Sequence, residues 1–123
     1  MQLSRIIMSK AFTYYHNPAC SKSCAGLELL KQRLTDFDEQ VDIIEYLNSP
    51  PSADSLRKIA NSLALNPDYS SLIRSEVENN QDLEQIILSI TEQPNLLQRP
   101  ILINNTTGKA AIGRPTSNFE KLI

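Results

Sequence analysis

Cysteine and histidine are scarce, two of the first and one of the second in 123 residues. With one histidine a zinc site is short of its usual donors, and in a reducing compartment two cysteines are poor structural staples. What remains open for cysteine is redox or nucleophilic chemistry. Long apolar runs are also missing: no stretch approaches the roughly 20 residues that cross a bilayer, and the lead Met1–Ser9 is too short in apolar residues for a secretory signal. A cytoplasmic protein without a membrane partner is therefore expected, with Met8 an alternative start. Nor is one charge sign in excess, since 12 basic against 14 acidic residues give −2. No overall basic field can gather nucleic acid, so any anion site must be built locally. Repeats, low-complexity tracts and linkers are absent as well. The 41% of hydrophobic residues suffices for one core, which predicts a single domain over 11–123 behind a flexible lead at 1–10.

Strand formers crowd Ala11-Phe12-Thr13-Tyr14-Tyr15 and stop at Asn17-Pro18, the pattern of a strand followed by a turn. Cys20 follows that turn directly. From Ser21 to Leu34, the residues Cys24, Leu27, Leu30 and Leu34 recur at helical spacing and predict an amphipathic helix with one buried stripe. A second strand is expected over Val41–Leu47, which makes a parallel βαβ unit. Ser52 then reads as the N-cap of a helix carrying Leu56, Ile59, Ala60 and Leu63. Asn66-Pro67-Asp68 looks like the opening of a helical segment through Arg74, and another helix is expected from Asp82 to Gln93. Ile101–Ile103 and Lys109–Ile112 flank Asn104–Gly108 as a β-hairpin. Ser117 with Glu120 has the spacing of a capping box for a C-terminal helix to Ile123. The order is βαβ, helices, then ββα.

A cysteine at a helix start feels the positive end of the macrodipole and the unpaired first-turn N–H groups, which favour thiolate over thiol. Ser21 and Ser23 lie in that turn and can donate hydrogen bonds to a thiolate or an oxyanion. His16 and Lys22 can add positive charge. Cys20 is thus a candidate nucleophile in a small anion cradle. The competing reading is a buried structural cysteine, since free cysteine is among the most buried residue types.

The run His16-Asn17-Pro18-Ala19-Cys20-Ser21-Lys22-Ser23 resembles the active-site signature of the glutaredoxin-linked arsenate reductase family. The likeness continues through Leu27, Leu29 and Leu30, Tyr46-Leu47 with Pro50-Pro51, Leu72-Ile73-Arg74, Arg99-Pro100-Ile101 and Gly113-Arg114-Pro115, nearly the whole chain after Met8. The resemblance implies an α/β, thioredoxin-like core, a mixed four-stranded sheet with a helical insertion. It also implies a catalytic cysteine, Cys20, and three arginines, Arg74, Arg99 and Arg114, that bind the oxyanion substrate, arsenate. Guanidinium forks suit such oxygens in two-pronged fashion. His16, Ser23 and Pro100 take supporting roles: His16 favours the thiolate through its positive form, Ser23 donates a hydrogen bond, and a cis Pro100 holds backbone near the sulfur. No bound cofactor or metal is implied. Glutathione is the reductant, glutaredoxin the partner, and the enzyme acts as a monomer.

Where the family's signature commonly has arginine after Ser23, this chain has Cys24. Its alignment with Leu27, Leu30 and Leu34 predicts a small core residue; the alternative is a resolving thiol four positions from Cys20. The stretch between Arg74 and Arg99 also looks short for the family. Two other functions fit the same cysteine position. Spx-like regulators bind RNA polymerase and sense oxidation, but carry Cys-x-x-Cys where this chain has Ser23 third after Cys20. A general glutathione-dependent thiol oxidoreductase acts on mixed disulfides instead of arsenate.

Overall fold

The computed structural model describes residues 10–63, 69–74, 77 and 82–123, with position 69 described by its backbone alone. Of the expected lead at 1–10 only Lys10 is described, and the Asn66-Pro67-Asp68 opening lies outside the described residues. Strand β1 (Phe12–His16) leads through the Asn17-Pro18 turn into helix α1 (Ser21–Arg33), then a short helix α2 (Phe37–Gln40) and strand β2 (Val41–Glu45). Helix α3 (Ala53–Ser62) and helix α4 (Leu83–Glu92) follow, then the hairpin β3 (Ile101–Asn104) and β4 (Lys109–Ile112). The sheet runs β2-β1-β3-β4, with β1 and β2 parallel and the other pairs antiparallel. This is a thioredoxin-like sheet, with βαβ and ββα halves meeting at β1 and β3. Among the described residues no helix is long and apolar enough to cross a membrane.

Alternation along β1 divides the core. Tyr15 faces a cluster with Leu56, Ile59, Ile86, Ile90 and Ile101, which buries the apolar sides of α3 and α4. Phe12 and Tyr14 face the opposite cluster with Leu30, Leu102, Phe119 and Leu122. Local signals fix the helix starts: the Ser52 side chain accepts from Ser55 N–H, and Asp82 with Gln85 forms a full capping box. The guanidinium of Arg57 grips both carboxylate oxygens of Glu84 at 2.8 and 2.9 Å and ties α3 to α4.

Four details differ from the sequence reading. Strand β2 stops at Glu45, and Tyr46 is buried in the turn beyond it. The segment leading to Arg74 is, where described, a 3-10 turn (Tyr69–Leu72), after which Ile73 bridges Leu97 in antiparallel fashion. The C-terminal element is a 3-10 helix (Thr116–Lys121) without a side-chain cap. Pro115 occupies its N-cap, so Ser117 already lies inside the helix and no capping box forms; Glu120 pairs with Arg33 at 3.3 Å. Finally, Cys24 is exposed. The buried face of α1 is Ser23, Gly26 and Leu30, turned by about one residue from the apolar pattern.

Gly26 explains that turn. A Cβ there would collide with the Tyr14 hydroxyl and come within 2.9 Å of the Phe119 ring, both fully buried. Alanine is intrinsically better than glycine inside a helix by about 1 kcal/mol. Even so, Gly26→Ala is expected to destabilise the fold by about 1–3 kcal/mol through overpacking. Chemical denaturation checks this, and a gain in stability would contradict the packing described.

Candidate active site

Cys20 is the N-cap of α1, with extended backbone (φ −101°, ψ 121°), and its sulfur is partly accessible. Burial alone would raise its pKa. The backbone N–H groups of Ser23 and Lys22, together with a hydrogen bond and the charge of Arg99, outweigh burial and bring the thiol below its ordinary value. The helix start thus acts through its N–H groups, whereas the Lys22 side chain is exposed and is not among the causes of the shift.

Asn17 organises the loop. Its carbonyl accepts the Cys20 N–H at 2.9 Å, its Oδ1 accepts from Ala19 N–H at 3.0 Å, and its Nδ2 donates to the Tyr46 hydroxyl at 3.3 Å. Its own N–H donates to Ser23 Oγ at 2.9 Å. Ser23 Oγ also shares a hydrogen bond with His16 Nδ1, 2.7 Å away. Ser23 is fully buried and its hydroxyl serves the loop; what it offers Cys20 is its backbone N–H. Tyr14 holds the same turn from below by donating to Ser23 O at 2.6 Å.

His16 also differs from the sequence reading. It is buried, and desolvation lowers its pKa; Lys31 adds to the lowering and Glu45 opposes it. Burial thus works against the charged imidazole that would favour a thiolate at Cys20, and the ring's hydrogen bond goes to Ser23. Because the folded pKa lies below the ordinary 6.5, the unfolded chain binds the proton more readily. The resulting stability is present above pH 6.5 and is lost as pH falls from there through the folded pKa. Denaturation midpoints should drop across that window, and His16→Asn should flatten the drop. An identical slope in the variant would contradict the assignment.

The three arginines come from three segments and converge. Arg74 is carried beside the Arg99 segment by Arg74 N–H on Leu96 O at 2.9 Å and Gln98 N–H on Leu72 O at 2.8 Å. Arg99 is 7% exposed; its Nη1 donates to Asn95 O at 2.8 Å and Leu97 O at 3.2 Å. Its Nε is buried without a hydrogen-bond partner among the described residues. Such an orphaned donor is costly unless something fills the site. Arg114 Nε donates to Arg99 O at 2.7 Å, and Nη2 reaches Cys20 Sγ at 3.8 Å. The Arg99–Pro100 peptide is cis, as is Arg114–Pro115. Pro100 O accepts the Gly113 N–H at 2.9 Å, which places the two cis segments side by side.

Tyr46, fully buried, feels two of these arginines and Cys20. Burial raises its pKa, the Asn17 hydrogen bond and the charges of Arg99 and Arg74 lower it, and Cys20 raises it. Asn17 and Tyr46 are site residues that the sequence reading treated only as a turn and a family match. The Asn-Pro step after β1 was the available signal for the first. For Tyr46 there was none beyond a polar-tipped aromatic at a strand end.

A cysteine of lowered pKa at the mouth of α1, directly after β1 of a thioredoxin-like sheet, makes this a candidate thiol site. Residues 15–122 match the ArsC family. The chain is similar to the arsenate reductase of Neisseria meningitidis serogroup A, 36% identical over 89% of this chain and 95% of the relative. It is also similar to that of Haemophilus influenzae, 39% identical over 89% and 96%. The solved arsenate reductase from Vibrio cholerae superposes with a TM-score of 0.78 at 26% identity, over 94% of this chain and all of the other. The chain belongs to the ArsC family.

Proposed function

We propose that the protein is a cytoplasmic arsenate reductase in which Cys20 attacks arsenic while Arg74, Arg99 and Arg114 hold the oxyanion. The observation that carries this is the buried guanidinium of Arg99, whose Nε no described residue satisfies, beside a thiol of lowered pKa. Guanidinium forks meet the oxygens, and the charge they bring offsets repulsion between a thiolate and an anionic substrate. The thiolate forms a sulfur–arsenic bond as one oxygen leaves with protons as water. The glutathione sulfur then attacks that of Cys20, the sulfur–arsenic bond breaks with its electron pair passing to arsenic, which leaves as arsenite, and glutaredoxin with more glutathione frees Cys20 from the mixed disulfide. Pro100 keeps the Arg99 segment against the site, and His16 with Ser23 fixes the loop. The relatives named arsenate reductase support the substrate.

Turnover with glutathione and glutaredoxin should be seen with arsenate and not with phosphate or sulfate. Activity confined to small mixed disulfides would make the protein a general thiol oxidoreductase and overturn the proposal.

A further inference from the structure

Cys24 has no part in the arginine clamp, yet it stands beside it. It is exposed, one turn beyond Cys20, with its N–H on Cys20 O at 3.0 Å. Its Sγ lies 3.4 Å from Pro18 O, so it leans toward the loop that carries Cys20 instead of the core. The first turn between them has no side-chain cap, and Cys20 itself is extended. Residues four apart on a helix have Cβ atoms about 5–6 Å apart. A disulfide needs roughly 3.5–4.5 Å, a closure of about 1–2 Å that an uncapped first turn can supply.

We propose that Cys24 is a resolving thiol, which lets this chain reduce its oxyanion substrate once without glutathione. The inference rests on the function proposed above. After Cys20 has bonded to arsenic, the Cys24 thiol gives its proton to solvent and its sulfur attacks that of Cys20. The sulfur–sulfur bond forms, the sulfur–arsenic bond breaks, and the electron pair passes to arsenic. Pentavalent arsenic leaves as trivalent arsenite, and two thiols have become one disulfide. A dithiol reductant, such as a thioredoxin-type protein or dithiothreitol, then restores both thiols by exchange.

The test is a single turnover of fully reduced protein with arsenate and no added thiol, with arsenite counted and disulfides mapped by peptide mass. About one arsenite per chain is expected, together with a Cys20–Cys24 disulfide. In Cys24→Ser the thiol-free yield should fall at least tenfold, while turnover with glutathione and glutaredoxin persists. If wild type forms arsenite only when glutathione is supplied, the resolving role is wrong and the proposed function stands. Thiol-free arsenite that survives in Cys24→Ser would likewise overturn the role. No arsenite under either condition removes the proposed function, and this inference with it.

Discussion

Cys20→Ser is expected to lower arsenate turnover by on the order of a thousandfold or more, because the thiolate is the nucleophile and a serine alkoxide is not accessible near neutral pH. The fold should not suffer. Serine is nearly isosteric, and at an N-cap it is among the favoured residues. The melting temperature should therefore stay level or rise by a few degrees, about 4 °C for each 1 kcal/mol gained. A drop in both activity and stability would point to a structural cysteine. Retained turnover would remove Cys20 from the chemistry.

Arg99→Lys and Arg114→Lys should each weaken arsenate binding by about ten- to a hundredfold, the equivalent of roughly 1.5–3 kcal/mol for a charge-assisted hydrogen bond lost at a partly dry site. Lysine keeps the charge and loses the fork. Arg99 uses one fork nitrogen on Asn95 O and Leu97 O and has Nε to spare, while Arg114 divides its fork between Arg99 O and Cys20 Sγ. A single ammonium cannot span either pair of directions. Arg74→Lys should follow more weakly, since Arg99 acts on the Cys20 thiol and Arg114 reaches its Sγ, while Arg74 is felt at Tyr46. If the arginines only formed surface ion pairs, each substitution would change stability by at most about 1 kcal/mol and leave binding unchanged. Calorimetric titration of arsenate into the variants in a Cys20→Ser background, with melting curves in parallel, separates the two. Unchanged affinity in both variants would contradict the clamp.

Local patterns in the sequence carried the elements around the site. Strand formers ending at Asn17-Pro18 placed Cys20 at a helix mouth, and Ser52 and Asp82 marked the starts of α3 and α4. The face of α1 was not legible, because its contact with Tyr14 and Phe119 needs small residues, Ser23 and Gly26, and not apolar ones. Apolar spacing therefore pointed to Cys24, which is exposed. Ser117 and Glu120 had the right spacing but the wrong frame, since Pro115 starts the last helix earlier. The charge state of His16 depends on burial by residues distant in sequence. The Asn17 link to Tyr46 joins positions 29 residues apart. Neither can be read from local pattern, whereas the three arginines were reached through the family resemblance.

The central claim is that arsenic is reduced through the sulfur of Cys20. In the Cys24→Ser protein Cys20 is the only thiol. Partial alkylation of that protein, with the modified fraction of the Cys20 peptide measured by mass and arsenite release measured in the glutathione and glutaredoxin assay, tests the claim directly. The rate should fall in proportion to the fraction of Cys20 modified and reach zero when modification is complete. Arsenite formation that persists on fully alkylated protein would contradict the account.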